Sequence, residues 1–220
     1  METFNVIGAL FDLDGVLIDS EREYSRIWKT INVEYPTGKE NLEYLIKGCT
    51  LDKILNDYYP DKEIRDKVTE RLYELENQMN YNYLPGAKQL LDNLSSAGIP
   101  KVLVTSSNDD KMKHLYEEIP DISDQFSFIV TANQISRSKP DPEGYLLGAE
   151  KIKRDIRKCI VFEDSLQGVK AGHDAGAFVV GVAGTLPAEV IAPYSNIVVD
   201  NLNELNLMEL LSEVAKRDEQ

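Results

Sequence analysis

The sequence predicts an open α/β fold in which a parallel sheet is covered by helices on both faces. Three observations carry this. Short β-rich runs alternate with segments of helical period. The runs are continuously apolar, as strands buried on both faces are. Clusters of polar residues follow several runs, and in open α/β sheets ligands bind beyond the carboxyl ends of the strands.

The elements follow in order. Val6 to Phe11 is the first strand-like run. From about Ser20 to Tyr83 no strand is expected, while Tyr24, Ile27, Trp28 and Ile31, and later Val68, Leu72, Leu75 and Met79, mark helix faces. The chain therefore divides into a core, residues 1–18 and 84–220, and a helical insert, residues 19–83. The return at Tyr83-Leu84-Pro85-Gly86 carries natural hinge and turn residues. Ala87, Leu90, Leu91 and Leu94, closed by Gly98, read as a helix. Val102 to Thr105 is a strand, Met112, Leu115 and Ile119 a helix, and Phe128 to Thr131 a strand. Cys159 to Phe162, Phe178 to Val182 and Ile197 to Val199 complete the strands, and Leu207, Leu210, Leu211 and Val214 form a last helix face. Such alternation joins strands by right-handed crossovers.

Composition bounds the function. A chain of 220 residues with 42% hydrophobic side chains buries roughly 70–75% of the surface its unfolded form exposes, enough for one sizeable core with a small insert. The formal charge of −14 argues against a nucleic-acid partner, which needs clustered Lys and Arg. It also repels anions at long range, so a phosphate bound here requires local donors and a cation. Cys49 and Cys159 form neither a zinc pattern nor a disulfide framework, and two free thiols suit a reducing, cytoplasmic setting. Met1 to Phe11 shows no basic leader, and no apolar run reaches membrane-spanning length, so neither export nor a membrane span is expected.

Four clusters occur in a fixed order: Asp12-Leu13-Asp14-Gly15-Val16, Thr105-Ser106-Ser107, Lys139-Pro140 and Glu163-Asp164-Ser165. Two carboxylates two positions apart can bring one side chain and one backbone carbonyl to a common metal. A hydroxyl, a lysine and a second acidic pair supply what a phosphate and that metal still need. Singly, Asp-X-Asp-Gly reads as a turn, Glu163-Asp164 as a helix cap, Ser106 and Ser107 as turn residues, Thr105 as a strand-end hydroxyl and Lys139 as a loop lysine. Together they describe a phosphoryl-transfer site. Gly15 lets the chain turn sharply into the insert, which would hang over the site as a lid. His114 and His173 fall on predicted helices without partners and read as surface or packing residues, and Tyr24 and Trp28 as core of the insert.

In the order and spacing of these clusters, over essentially its whole length, the chain resembles the haloacid dehalogenase superfamily of phosphatases, in the form with a helical C1-type cap after the first motif. The resemblance implies a Rossmann-like core, a small α-helical cap domain and a magnesium cofactor. It makes Asp12 the nucleophile that forms an aspartyl-phosphate, and Asp14 the general acid and then base. Thr105, Ser106, neighbouring amides and Lys139 would hold the phosphoryl oxygens. Asp12, the Asp14 carbonyl and Asp164 would ligate Mg2+, with Glu163 behind them orienting a metal-bound water. Thr131-Ala132-Asn133, Ser138 to Glu143 and Tyr145 to Ala149 look most like sugar-phosphate and polyol-phosphate phosphatases, so the expected activity is hydrolysis of a small phosphorylated metabolite.

Lys47-Gly48-Cys49-Thr50 resembles the cap loop that faces the active site, which makes Lys47 and Thr50 candidate contacts for the leaving group; a surface turn is the plain alternative. Glu21 and Arg22 would line the same space. The rival within the superfamily is β-phosphoglucomutase, which shares the motifs and the cap. It carries an arginine that grips a second phosphate where this chain has Leu51, and a histidine where it has Tyr24, so a bisphosphate intermediate would be poorly retained here. A dehalogenase has no use for Asp14 or for a metal at Asp164. A non-catalytic role would require the loss of a catalytic group, and none is lost.

Overall fold

The computed structural model describes residues 7–216. All six apolar runs are strands: β1 (Gly8–Phe11), β2 (Lys101–Val104), β3 (Phe128–Val130), β4 (Cys159–Glu163), β5 (Phe178–Val182) and β6 (Ile197–Val199). Val6, expected in the first strand, lies outside the described residues. The strands form one parallel sheet in the order β3-β2-β1-β4-β5-β6. Helices α5 (Ala87–Ser96), α6 (Asp109–Glu118), α7 (Glu143–Lys151), α8 (Leu166–Ala175), α9 (Ala188–Ile191) and α10 (Leu207–Lys216) connect and cover them.

The continuous apolar character of the runs has its cause in two cores. Ala9 and Phe11 of β1, with Ile160 and Phe162 of β4, enter one apolar cluster, while Leu10, Cys159 and Val161 enter the other. Phe11 stacks on Phe162 with ring centroids 4.4 Å apart. Each such side chain, buried completely, contributes about 1.5–3 kcal/mol.

Strand order positions the site. The chain steps outward from β1 to β2 and β3, then returns to the other side of β1 with β4, so the order reverses between β1 and β4. Crevices at such reversals take ligands. The Asp12 N–H donates to the Phe162 carbonyl at 3.0 Å, and Asp12 and Glu163 thus leave the sheet side by side.

The insert holds α1 (Glu21–Glu34), α2 (Leu42–Leu45), α3 (Leu51–Tyr58) and α4 (Lys62–Glu76). Ile27, Trp28 and Ile31 of α1 and Val68 and Leu72 of α4 are buried, and α1 packs on α2 and α4. Met79, read as part of the second helix face, falls beyond α4 and packs from the return segment instead. Thr50 caps α3 by accepting from the Lys53 N–H, and Asp61 caps α4 by accepting from Ile64. Insert and core are joined where the chain leaves and re-enters side by side: Asp19 N–H donates to the Asn82 carbonyl at 2.9 Å, and Leu84 N–H to the Leu17 carbonyl at 2.8 Å. No helix among the described residues is long and apolar enough to cross a membrane.

Candidate active site

Lys139, from the loop between β3 and α7, joins the two central strands. Its Nζ lies 2.5 Å from Asp12 Oδ1 and 2.6 Å from Glu163 Oε1, donates to the Val104 carbonyl at 3.2 Å, and sits 5.0 Å from the centre of the Tyr145 ring. Burial opposes its charge, but the two carboxylates outweigh burial and hold the ammonium above its ordinary pKa. Burial raises the Asp12 carboxyl to about 7 against the pull of Lys139. A carboxyl so buried stays ionised only while cations compensate it.

Glu163 is saturated by donors. Oε1 accepts from Lys139 and, at 2.9 Å, from the Tyr145 hydroxyl; Oε2 accepts from the amides of Asp164 and Ser165 and from Ser165 Oγ, each at 3.0 Å. These five donors fill both oxygens, so Glu163 fixes Lys139 and the following loop. The expectation that it orients a metal-bound water would need one of these donors to move aside.

A cation has a place beside it. Oxygens of Asp12, Glu163 and Asp164 lie within 4.8 Å of one another. Asp164 is buried, and its Oδ2 has no hydrogen-bond partner by geometry among the described residues, although the neighbouring Thr185 hydroxyl pulls its carboxyl pKa down. Burial, then the charges of Glu163 and Asp12, push its carboxyl well above the ordinary range. An orphaned oxygen among hard oxygen donors fits a divalent cation such as magnesium. Gly15, at φ +76°, makes the turn expected of it, and an added Cβ would strike Asp164 Oδ2. The turn uses the carbonyls of Leu13 and Ile18 as acceptors and leaves the Asp14 carbonyl out of its bonds.

Asp14 is held by three donors, two of which sequence reasoning passed over. Ser20 Oγ donates to Oδ1, Ser107 Oγ to Oδ2 at 3.3 Å, and Lys111 Nζ lies 2.6 Å from Oδ2. Only Ser107 stood within a recognised cluster. Lys111, in the first turn of α6, looks like any solvated helix lysine, and Tyr145 like ordinary core.

Other expected residues divide. Thr105 is buried; its Oγ1 accepts from the Ser107 N–H at 3.0 Å and keeps its own hydrogen to donate. Ser106 Oγ donates to the Gly48 carbonyl at 2.7 Å, so this hydroxyl docks the cap loop in this arrangement and is not turned to a phosphate. Lys47 pairs with Glu21, and both line the cavity. Thr50 does not: its hydroxyl caps α3 and its N–H donates to Ser138 Oγ at 2.9 Å, which withdraws it from leaving-group contact.

Between core and insert lies a cavity open to solvent, about 820 Å³ when the solvent space at its mouth is counted. Asp12, Asp14, Asp164, Ser106 and Ser107 form its floor, and Tyr24, Trp28, Ile46, Leu51, Ile54, Leu72 and Tyr73 its upper wall. More carboxylates than ammonium groups line it, with Glu43 and Glu76 facing it besides Glu21. This lining by itself disfavours an anion.

The family model for haloacid dehalogenase-like hydrolases matches residues 9–182. The chain belongs to the haloacid dehalogenase-like hydrolases. Its six-stranded parallel sheet with flanking helices is the Rossmann-like fold of that family. Hexitol phosphatase A of Escherichia coli (strain K12) is 34% identical over 181 residues, which cover 80% of this chain and 82% of that one. Phosphorylated carbohydrates phosphatase of Thermotoga maritima is 31% identical over 176 residues, covering 76% and 80%. Among solved structures, a putative β-phosphoglucomutase from Bacteroides vulgatus superposes with a TM-score of 0.82 at 27% identity, over 98% of this chain and 92% of the other. These haloacid dehalogenase-like hydrolases thus include relatives named for phosphate-ester hydrolysis and a neighbour named for phosphoryl transfer between sugar positions.

Proposed function

We propose that this hydrolase is a magnesium-dependent phosphatase of small phosphorylated metabolites, sugar or polyol phosphates foremost, with residues 19–83 as a cap over the catalytic core. The observation that carries the reading is the Asp12-Lys139-Glu163 chain beside the orphaned Asp164 oxygen, with Asp12 and Asp164 on the floor of the cavity between core and insert. The names of the hexitol and carbohydrate phosphatases support the substrate class.

An Asp12 carboxylate oxygen bonds to phosphorus while the ester P–O bond breaks. The bonding pair leaves with the substrate oxygen, which takes a proton from Asp14. Water then attacks the aspartyl-phosphate, giving its proton to Asp14; the acyl-phosphate P–O bond breaks, Asp12 is restored and inorganic phosphate departs. Lys139 and Thr105 steady the phosphoryl oxygens as charge shifts. Asp12, the Asp14 carbonyl and Asp164 would hold the magnesium ion, which neutralises phosphate charge when bound.

A phosphosugar mutase is the second reading, favoured by the fold match to the putative β-phosphoglucomutase. The cavity wall opposes it. Leu51, with Ile46 and Ile54, gives an apolar surface where a second phosphate needs a cation, and the lining lysines 47 and 111 are each paired within the protein.

Phosphate release from sugar, polyol and nucleotide monophosphates, with and without magnesium, tests the proposal. Metal-dependent release that vanishes in Asp12→Asn supports it. No release, with interconversion of glucose 1- and 6-phosphates, would replace it by the mutase.

A further inference from the structure

Lys111 occupies a place that a lysine takes only at a cost. Its side chain is 9% exposed, and burial works against its charge. It stands third in α6, whose first turn presents the positive end of the helix dipole, and its own N–H is bound by the Asn108 cap at 2.9 Å. A lysine serving only as a solvated helix residue would not meet the burial penalty.

What offsets both penalties is a socket. Lys111 Nζ lies 2.6 Å from Asp14 Oδ2 and 4.2 Å from the centre of the Tyr24 ring. The Tyr24 hydroxyl donates to Glu76 Oε1 at 2.8 Å, and the Glu76 charge also favours the ammonium. Tyr24 comes from α1 and Glu76 ends α4, so the insert builds the side of the socket facing away from Asp14. A cation over a desolvated aromatic face is attracted by the ring quadrupole, and the carboxylate supplies a charge-assisted bond.

We propose that Lys111 is a positioning residue for Asp14: by pinning Oδ2 from one side while Ser20 holds Oδ1, it aims the carboxyl that hands a proton to the leaving oxygen. This rests on the phosphatase reading, in which Asp14 is that acid. A carboxyl free to rotate about its side-chain torsions spends less time within hydrogen-bond reach of the ester oxygen, and proton delivery suffers while phosphate binding does not. Lys111 transfers no proton itself.

Leaving-group dependence separates this from a merely structural role. p-Nitrophenyl phosphate releases a stable phenolate that needs little protonation, whereas an alkyl ester such as a hexitol phosphate needs the acid. For Lys111→Met and the more polar Lys111→Gln, we expect kcat/KM, which reports the steps up to the aspartyl-phosphate and not its hydrolysis, to fall roughly 10²-fold on the alkyl ester, against less than about 5-fold on p-nitrophenyl phosphate. Lys111→Arg should recover part of the alkyl-ester rate. Adding Lys111→Met to Asp14→Asn should cost little more than Asp14→Asn alone. Equal losses on both esters in folded Lys111 variants, with Asp14→Asn still selective for the alkyl ester, would overturn the role of Lys111 and leave the phosphatase reading standing. An Asp14→Asn variant without that selectivity, or a wild type that releases no phosphate from either ester, would overturn both.

Discussion

Glu163 Oε1 sits 2.6 Å from Lys139 Nζ, with the glutamate side chain fully buried and the lysine nearly so. The pair ties the end of β4 to the loop that carries the lysine, whose Nζ also lies 2.5 Å from Asp12 Oδ1. Removing one charge leaves the other buried and under-compensated. Glu163→Gln is therefore expected to lower stability by roughly 3–5 kcal/mol, read from urea unfolding, and to cut phosphate release at least about 10-fold. A change below about 1 kcal/mol would show that the pair does not organise this part of the core.

Asp164 should report on the cation directly, without turnover. A group that binds only the folded chain raises its stability by mass action, about 2.7 kcal/mol at a hundredfold excess over Kd, which for a chain of this size is roughly 5–10 °C in Tm. Magnesium is expected to produce such a shift in the wild type, EDTA to reverse it, and Asp164→Asn to abolish it. A wild type indifferent to magnesium would count against the proposed metal site.

Gly168 lies in the first turn of α8, where an added Cβ would run into the buried Glu163 carboxylate. At Gly184 nothing lies within 4 Å of an added Cβ. Gly168→Ala should cost roughly 3 kcal/mol and also slow turnover, because the displaced carboxylate holds Lys139. Gly184→Ala should be neutral or stabilising by about 0.5 kcal/mol through the unfolded chain. Denaturant titration of the two variants side by side decides this.

Two hydrogen bonds seat the cap loop on the core: Ser106 Oγ to the Gly48 carbonyl, and the Thr50 N–H to Ser138 Oγ. Cys49 lies between them and lines the cavity. Ser138→Ala leaves the Thr50 N–H without its acceptor, and the loop should lift more often. Alkylation of Cys49 should then quicken several-fold and KM should rise about 2–10-fold, in keeping with roughly 1 kcal/mol per hydrogen bond. Cys159 provides the internal blank: burial pushes its thiol up to about 12, so it should remain unlabelled at pH 8 in the native protein. Unchanged Cys49 kinetics would show that the loop is held by other contacts.

All six strands were legible in the sequence: a strand buried on both faces must be apolar throughout, a constraint Leu10, Val161 and Val180 obey locally, and the half-buried β3 and β6 are apolar as well. The sequence also determined the helical stretch after β1, where Ile27, Trp28 and Ile31 repeat at helical spacing, and the four polar clusters that meet at the carboxyl side of the sheet. Tertiary structure decided the rest. Strand order set β4 against β1 and so brought Asp164 beside Asp12, residues far apart in the chain. Packing turned Thr50 into a helix cap and Ser106 toward Gly48, and it brought Lys111 to Asp14 across 97 positions. Periodicity records which side of an element is buried, because burial acts on each residue separately. Which polar side chains then meet depends on how whole elements dock, and that information is spread over every contact in the core.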